Sequence, residues 1–279
     1  MEIMRAKLMS LSVYKNILET EPVQALLRLT QAKTADGLIQ CYTELVYSVW
    51  NAGFSTLPEC IAWHLKYDES FIGNAIAAGT APDYMKDAAA MDIRRLASVS
   101  MLSCAGLKRN IGAACAKLGD EFASIIQNLA ELPMGESFDE EDIFESYRKN
   151  GCGRFALGRA FHWEKGQLTQ VKHSDPIDQK DMIGYEFQRN AVIENTRVML
   201  SGKPTNNVLL YGDSGTGKSA TVKSLVNIPE FYNLRLIEIA KNSLDELTEL
   251  IRTISHHTQK FIIYIDDLSF ERRTRASRR

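Results

Sequence analysis

The feature that most constrains the fold is a glycine-rich turn between an apolar run and a helix-compatible run. The apolar run covers residues 207–211, and the turn has the pattern Gly-x-x-x-x-Gly-Lys-Ser over residues 212–219. Residues 220–226 then continue as a helix would. A strand, a tight turn and a helix N-terminus in this order form a phosphate-binding P-loop. The sequence therefore predicts a βα unit of an α/β fold whose turn holds a polyphosphate.

Each residue type in this turn has a task in phosphate binding. Backbone N–H groups converge on phosphate oxygens, and glycines let the chain curl without a Cβ clash. Lys218 is predicted to contact the β- and γ-phosphates as a catalytic residue, and Ser219 to coordinate Mg²⁺. The alternative is a glycine-rich turn that binds nothing. The predicted nucleotide-binding residues of the turn are Gly212, Asp213, Ser214, Gly215, Thr216, Gly217, Lys218 and Ser219.

A second apolar run, residues 261–265, ends in two carboxylates. A parallel strand covered by helices on both faces is apolar throughout, and ligands lie beyond the C-terminal ends of such strands. Asp266 follows Lys218 by 48 positions, which leaves room for a helix, a strand and a helix. We predict that Asp266 holds Mg²⁺ and that Asp267 is a catalytic residue that accepts a proton from the attacking water. The alternative is an ordinary strand end followed by a turn.

Composition indicates a globular protein of about two domains. The chain has 279 residues, of which 45% are hydrophobic and 24% charged, and a net charge of −2. This charge gives no general attraction to nucleic acid or to an anionic membrane. The chain shows no export signal and no apolar run long enough to span a bilayer, and its five cysteines form no C-x-x-C motif. We therefore predict a cytoplasmic protein whose cysteines are reduced and act as small buried hydrophobes.

Changes in composition divide the chain into four segments. Residues 1–132 carry one helical apolar pattern after another and predict an all-α N-terminal domain. Residues 133–180 predict an acidic linker and a β-hairpin. Residues 181–270 alternate strand and helix patterns and predict a partial P-loop ATPase core. Residues 271–279 are rich in arginine and are predicted to be a non-native tail.

Large side chains in the helical half have two interpretations. Tyr42, Trp50, Trp63 and Met91 occupy helical segments, where such residues fill a core more often than they line a partner groove. We predict the core, and we assign to the helical half as a whole the contact with an unknown protein partner. No aromatic-and-basic alternation typical of nucleic-acid binding occurs there.

Local patterns predict two helix caps and one turn. Ser137 with Glu140, and Ser243 with Glu246, have the spacing of a capping box. Residues 164–166 predict a three-residue turn, containing a glycine, between two short strands. Each of these predictions rests on neighbouring residues alone.

A short apolar segment at residues 182–185 lies 27 to 30 positions before the first glycine of the P-loop. Such a segment folds against the adenine in many P-loop ATPases. Ile183 and Gly184 are therefore predicted to contact the base, and the alternative is a packed loop before a helix. The sequence contains no Asn-Lys-x-Asp motif, which slightly favours adenine over guanine.

Five motifs together resemble an uncharacterised family of bacterial AAA-type ATP-binding proteins, described as a domain of unknown function. They occupy residues 183–186, 193–196, 202–204, 206–212 and 265–270. The resemblance implies an α/β P-loop NTPase of AAA type behind an all-α N-terminal domain. It also implies a cytoplasmic location and ATP and Mg²⁺ as cofactors, and it leaves open whether the intact module forms oligomers. In such a family ATP hydrolysis would move or load a partner held by the helical half.

The end of the chain departs from this family. In an AAA-type module, the strand that ends in the Mg²⁺-binding aspartate is followed by two more strands, a polar sensor, an arginine finger and a helical lid. Here residues 271–279 follow instead, and five of the last eight residues are arginine. We expect a truncated module, produced by a reading-frame slip or premature stop, with an incomplete parallel sheet and exposed strand edges. The alternative is an arginine tail that binds phosphate backbones.

Two functions remain open at this point. The first is an ATP-binding module in which a P-loop and two aspartates hold Mg²⁺-ATP, with little or no turnover in this chain. The second is a helical protein-interaction module whose P-loop is a nucleotide-gated switch or a remnant.

Overall fold

The chain divides between Gly153 and Arg154 into two compact units, each with its own core. The computed structural model describes residues 1–114, 119–171 and 182–266. The predictions for Asp267 and for the tail at residues 271–279 lie outside the described residues. Each unit is described here by itself.

The first unit is helical, as expected for an all-α N-terminal domain. No helix in the described ranges is both long enough and apolar enough to cross a bilayer. A 3₁₀ turn at Lys15–Glu19 follows the first helix. The α-helices are α1 Glu2–Met9, α2 Glu21–Gln31, α3 Ala35–Asn51, α4 Leu57–Tyr67, α5 Phe71–Ala77, α6 Asp83–Ser100, α7 Cys104–Ala114, α8 Asp120–Gln127 and α9 Glu140–Asn150.

Helix α3 shows how the apolar spacing becomes a packed face. Thr34 caps its first turn, because the threonine Oγ1 accepts a hydrogen bond from Gly37 N at 3.2 Å. Tyr42 is fully buried and donates a hydrogen bond to the carbonyl of Ala130 at 2.7 Å. Trp50, however, is 49% exposed. It lies next to the buried Val49, and adjacent helical positions point about 100° apart, so the prediction that Trp50 fills the core is wrong.

Met91 in α6 likewise lies outside the core. This residue is 50% exposed, whereas Ala89 and Ile93 on either side of it are buried. Trp63 is half-buried and packs against the rings of Phe54 and Tyr67, with centroid distances of 5.7 Å and 5.5 Å.

The four cysteines of the first unit that the structure describes are free. Cys60, Cys104 and Cys152 are buried and Cys41 is half-buried, as expected for small hydrophobes. Burial raises the pKa of the Cys60 and Cys152 thiols. Across the described part of the chain no three His, Cys, Asp or Glu side chains form a metal-binding group.

The acidic stretch assigned to a linker belongs to the helical core. Ile143, Phe144 and Tyr147 of α9 pack into it, and the Tyr147 hydroxyl donates to the carbonyl of Leu65. The charged residues of α9 face water, which is why composition alone resembled a linker.

The helix cap also differs from the prediction. The Asp139 carboxylate accepts from Asp142 N at 2.9 Å, and the Asp142 carboxylate accepts from Asp139 N at 3.3 Å. This reciprocal pair replaces the one predicted for Ser137 and Glu140, so the helix begins at Glu140.

The second unit is built on a four-stranded mixed sheet with the order β2-β1-β3-β4. Strands β1, β3 and β4 are parallel, and β2 is antiparallel to β1. Short 3₁₀ turns lie at Leu225–Asn227, Pro229–Phe231 and Lys241–Glu246. The elements are α10 Arg154–Leu157, β1 Ala160–Glu164, β2 Gln167–Gln170, α11 Glu186–Leu200, α12 Lys218–Ser224, β3 Leu234–Ile239, α13 Leu247–Ile254 and β4 Lys260–Ile265.

The hairpin β1–β2 is part of this sheet and not of a linker. Phe161 of β1 lies opposite Ile237 of β3 in parallel register. Its turn has two residues, not three, since Glu164 still pairs with Gln167. Lys165 and Gly166 have φ values of 51° and 72°, the left-handed conformations that match the twist of a tight hairpin.

Glu246 holds the hairpin turn and does not cap a helix. Its Oε2 accepts hydrogen bonds from Trp163 Nε1 at 2.8 Å and from Gly166 N at 2.9 Å. The predicted capping box with Ser243 is absent, and residues Lys241–Glu246 form a 3₁₀ turn before α13 begins at Leu247. Two donors distant in sequence outcompete the local cap.

We predict that Glu246→Ala lowers the free energy of unfolding of the second unit by about 2 kcal/mol. The reason is that the substitution leaves the buried indole N–H of Trp163 without its carboxylate acceptor. Urea unfolding can be followed by Trp163 fluorescence in a background with Trp50→Phe and Trp63→Phe, which removes the other two tryptophans. Glu249→Ala, at an exposed position of α13, is the control. Equal stability of the two variants would contradict this role.

The sheet separates two hydrophobic clusters, one on each face. Ile237 and Ile239 pack with Phe155 and Trp163 on one face. Leu234 and Leu236 pack with residues of α11 and α12 on the other. Because successive strand residues point to opposite faces, α12 lies over the face that carries Ile262 and Tyr264 of β4.

The apolar run before the P-loop does not form the predicted strand. Residues 203–211 have no regular secondary structure, and Leu209 and Tyr211 are 74% and 90% exposed. A β-strand exists only through its hydrogen bonds to a neighbour, and no described strand lies beside this run. The observed architecture is therefore a mostly parallel sheet with helices on both faces, consistent with a P-loop NTPase-like fold.

Candidate functional site

The turn at residues 212–219 depends on three glycines in left-handed conformations. The φ values of Gly212, Gly215 and Gly217 are 142°, 78° and 80°, which residues with a Cβ rarely adopt. A Cβ at Gly215 or Gly217 would meet no atom within 4 Å, so conformation and not crowding requires glycine there. Helix α12 begins directly after the turn, at Lys218.

Lys218 folds over the turn that precedes it. Its Nζ donates hydrogen bonds to the carbonyl oxygens of Gly212 at 3.0 Å and Asp213 at 2.6 Å. Thr216 Oγ1 closes the same turn by donating to the Asp213 carbonyl at 2.9 Å. The ammonium group is thus held against the backbone of the glycine-rich turn.

Ser219 and Asp266 meet at the C-terminal end of β4. Ser219 Oγ donates a hydrogen bond to Asp266 Oδ1 at 2.9 Å, although the two residues are 47 positions apart. The first turn of α12 supplies the serine and the residue after β4 supplies the exposed aspartate. The structure therefore brings together the two residues predicted to bind Mg²⁺. Their role as metal ligands is taken up below as a proposal.

Tyr264 also lies near this pair, and the sequence analysis missed it. It is half-buried on β4, two positions before Asp266. Burial, and next the neighbouring Asp266 carboxylate, raise the pKa of Tyr264 above its usual range, so this hydroxyl keeps its proton at neutral pH. The strand had been interpreted as uniformly apolar. The alternation of strand side chains places residues 264 and 266 on one face, which is the signal that could have revealed Tyr264.

The segment predicted to contact a base is exposed. Ile183 is 98% exposed, and Gly184 and Tyr185 have φ values of 81° and 55°. Arg189 of α11 donates a hydrogen bond to the carbonyl of Met182 at 2.6 Å and so ties the segment to the helix. In the described ranges no hydrogen bond joins Ile183 or Gly184 to the glycine-rich turn. Adenine contact by these two residues stays a prediction.

The described oxygen donors fit Mg²⁺. This ion prefers hard oxygen ligands in octahedral geometry at 2.0–2.1 Å, so that neighbouring ligands lie about 2.9 Å apart. The oxygens of Ser219 and Asp266 already have this separation. A carboxylate and a hydroxyl beside an ammonium group match the donor set of a magnesium–polyphosphate site. Asp267, the predicted proton acceptor, lies outside the described residues.

Comparisons with known proteins concern the region of this site. Residues 157–279 match a family described as "Protein of unknown function (DUF815)". Over 118 residues the chain is 26% identical to a protein named Proteasome-activating nucleotidase 1 from Haloferax volcanii. The aligned stretch is 37% of this chain and spans only 29% of the relative. No solved structure matches the chain. The chain is thus similar to a family of unknown function and, distantly, to a protein named as a nucleotidase.

Proposed function

We propose that the second unit binds Mg²⁺-ATP, with the triphosphate in the turn at residues 212–219 and the metal between Ser219 and Asp266. One observation carries the proposal. The hydroxyl that follows the P-loop lysine lies 2.9 Å from a carboxylate at the end of a parallel strand. Ligands of open parallel sheets lie at this edge.

Each residue of the turn has a defined part in the proposal. Backbone N–H groups of residues 213–218 would contact phosphate oxygens, in a turn that its glycine conformations make possible. Lys218 would exchange its bonds to the Gly212 and Asp213 carbonyls for bonds to phosphate oxygens. An anion gains more from an ammonium group than a neutral carbonyl does, so this exchange is favourable.

The choice of ATP rests on two further points. A protein named a nucleotidase resembles part of this chain, which supports a nucleotide as the polyphosphate. Ile183 and the neighbouring Tyr185 offer exposed apolar surface for a base, within the segment where the sequence predicts adenine contact. A cytoplasmic location follows from this substrate as part of the proposal. Turnover stays a prediction, because it needs a proton acceptor at Asp267.

The first unit would supply the contact with a protein partner. Several large side chains on its surface are exposed, which supports an interaction role without identifying the partner. If the P-loop proved inert, this unit alone would carry the function, as in the alternative interpretation. The exposed aromatic residues are Tyr47, Trp50, Phe71 and Tyr84.

The metal ligand is tested by Asp266→Asn in a titration with a fluorescent ATP analogue. We expect Mg²⁺ to strengthen binding to the unsubstituted chain at least about tenfold, since it neutralises phosphate charge and joins the phosphates to Ser219 and Asp266. In Asp266→Asn this increment should be lost, while binding in EDTA stays the same.

Asp245→Asn, an exposed position in the 3₁₀ turn before α13, controls for the lost charge. An Mg²⁺ increment of unchanged size in Asp266→Asn would remove Asp266 from the metal site. Failure of the unsubstituted chain to bind the analogue at all would overturn the proposed function.

A further inference from the structure

Helix α12 contacts two neighbouring strands of the sheet through polar side chains that lie one turn apart. Ser219 Oγ donates to Asp266 Oδ1 at 2.9 Å, directly after β4. Lys223 Nζ lies 3.2 Å from Glu238 Oε2 of β3. Because Ser219 and Lys223 are four positions apart, their side chains lie on the same face of the helix. One face of α12 therefore carries the candidate metal ligand at one end and an ion pair at the other.

The two contacts also match in spacing. Glu238 is the register partner of Tyr264, which precedes Asp266 by two positions. Two strand residues span about 6.6 Å, and four helix residues span about 6 Å. The helix runs opposite to the strands, since Ser219 lies at the strand end and Lys223 lies before it. Ser219 thus reaches Asp266 in the same placement of the helix in which Lys223 reaches Glu238.

Lys223 contacts both strands at once. Besides pairing with Glu238, its Nζ lies 5.9 Å from the centroid of the Tyr264 ring, within range of a cation–π contact. Val222 and Leu225, from the same helix and the turn after it, pack in the apolar cluster on this face of the sheet. Apolar contacts have no preferred direction, so they hold the helix on the sheet without fixing its rotation. The ion pair supplies that direction.

We propose that Lys223 and Glu238 are positioning residues of the proposed metal site, whose ion pair fixes the rotation of α12 that brings Ser219 to Asp266. The inference rests on the proposed function, because it concerns the same ion. Neither residue is proposed to touch the ion or the nucleotide. Their side chains are 39% and 31% exposed, so the ion pair adds little to stability. Its task is to select one orientation of the helix.

The test exchanges the two charges in turn. Mg²⁺ is titrated into each variant at a fixed, subsaturating concentration of a fluorescent ATP analogue. Lys223→Glu and Glu238→Lys each place like charges opposite one another, which turns α12 away from the orientation that joins Ser219 to Asp266. We expect the Mg²⁺ midpoint to rise about fivefold in both, the upper end for a partly exposed ion pair. The double substitution restores opposite charges, and its midpoint should fall below that of either single variant.

The opposite changes in net charge separate positioning from general electrostatics. Lys223→Glu makes the chain more negative, and Glu238→Lys makes it more positive. A general attraction between the chain and its ligands would therefore change in opposite directions in the two variants. Misplacement of Ser219 instead raises the Mg²⁺ midpoint in both.

Glu230→Lys is the matched control for Glu238→Lys. The Glu230 carboxylate lies 3.3 Å from Arg197 of α11, so the substitution breaks an ion pair of the same unit with the same change in charge. Its Mg²⁺ midpoint should stay within about twofold of the unsubstituted chain. Thermal unfolding shows whether each variant folds. Where a charge exchange prevents folding, the neutral variants Lys223→Met and Glu238→Gln replace it, and the midpoint should again rise in both.

Three outcomes would overturn the inference. They are a midpoint that does not rise in both single variants, a double variant whose midpoint is no lower than that of the worse single one, or an equal rise in Glu230→Lys. Each leaves the proposed function intact as long as the unsubstituted chain binds the analogue more tightly with Mg²⁺. If Mg²⁺ has no effect on the unsubstituted chain, the metal site itself fails and the inference with it.

Discussion

Replacing Lys218 with alanine should weaken binding of Mg²⁺-ATP about 100-fold, equivalent to about 2.7 kcal/mol. The ammonium group already lies on the glycine-rich turn, bonded to the carbonyls of Gly212 and Asp213. Charge-assisted bonds to phosphate are worth roughly 1.5–3 kcal/mol, and no other described side chain of the turn is cationic. Isothermal titration calorimetry with a non-hydrolysable ATP analogue measures the change directly.

The matched control is Lys203→Ala. Lys203 is an exposed lysine before the P-loop, so its loss changes the net charge equally without touching the turn. We expect its affinity for the analogue to stay within about twofold of the unsubstituted chain. Equal effects of the two substitutions would indicate general charge attraction, and the helical interaction module would then become the better account of this chain.

Replacing Phe155 with alanine should destabilise the second unit by about 4 kcal/mol. Phe155 is fully buried, and its ring lies 4.9 Å from that of Phe161, 4.9 Å from that of Phe261 and 4.5 Å from that of His257. These rings come from β1, β4 and the chain between α13 and β4, so the cavity would loosen contacts of an inner strand and of an edge strand at once.

Phe187→Ala is the control for this substitution. Phe187 is 83% exposed on α11, so the same chemical change there removes almost no buried surface. Urea unfolding followed by Trp163 fluorescence, with Trp50 and Trp63 replaced as described above, gives both free energies. A difference below about 1 kcal/mol between the two variants would show that the aromatic cluster is not the core of this unit.

The sequence predicted elements whose apolar pattern is strong and local. The strand at residues 234–239 and the helix after residue 186 appear as expected, because a buried parallel strand and an amphipathic helix each leave a distinct periodicity. The apolar run at residues 207–211 has the same strand propensity. It forms no strand, because strand formation depends on a neighbour that local sequence does not report.

Long-range partners account for the other differences. Glu246 has the spacing of a helix cap, yet it binds Trp163, which is 83 positions away. Residues 135–142 are acidic enough to resemble a linker, yet the helix that begins at Glu140 carries Ile143 and Tyr147 on a buried face. A few apolar residues on one face are enough to bury a helix in the core, and the overall composition of the segment does not reveal them.

The candidate site was predictable in its residues but not in its contacts. The spacing of the P-loop and of the second apolar run predicted Lys218, Ser219 and Asp266, since the chemistry of phosphate and metal binding restricts residue types. Tyr264 was not predicted, because an aromatic residue in an apolar strand is most simply interpreted as core. Its position near the candidate site becomes evident only when the end of β4 is seen to lie beside α12.

The two outer strands of the described sheet are unequal. Strand β2 is four residues long, polar and mostly exposed, whereas β4 is six residues long, apolar after its first residue and half-buried. A short polar edge strand pairs poorly with a further strand, whereas a long apolar edge strand pairs readily. A further strand would therefore add to the described sheet beside β4. Any segment that pairs with this edge would lie beside Tyr264 and Asp266, so lengthening the sheet would also change the surroundings of the proposed metal site.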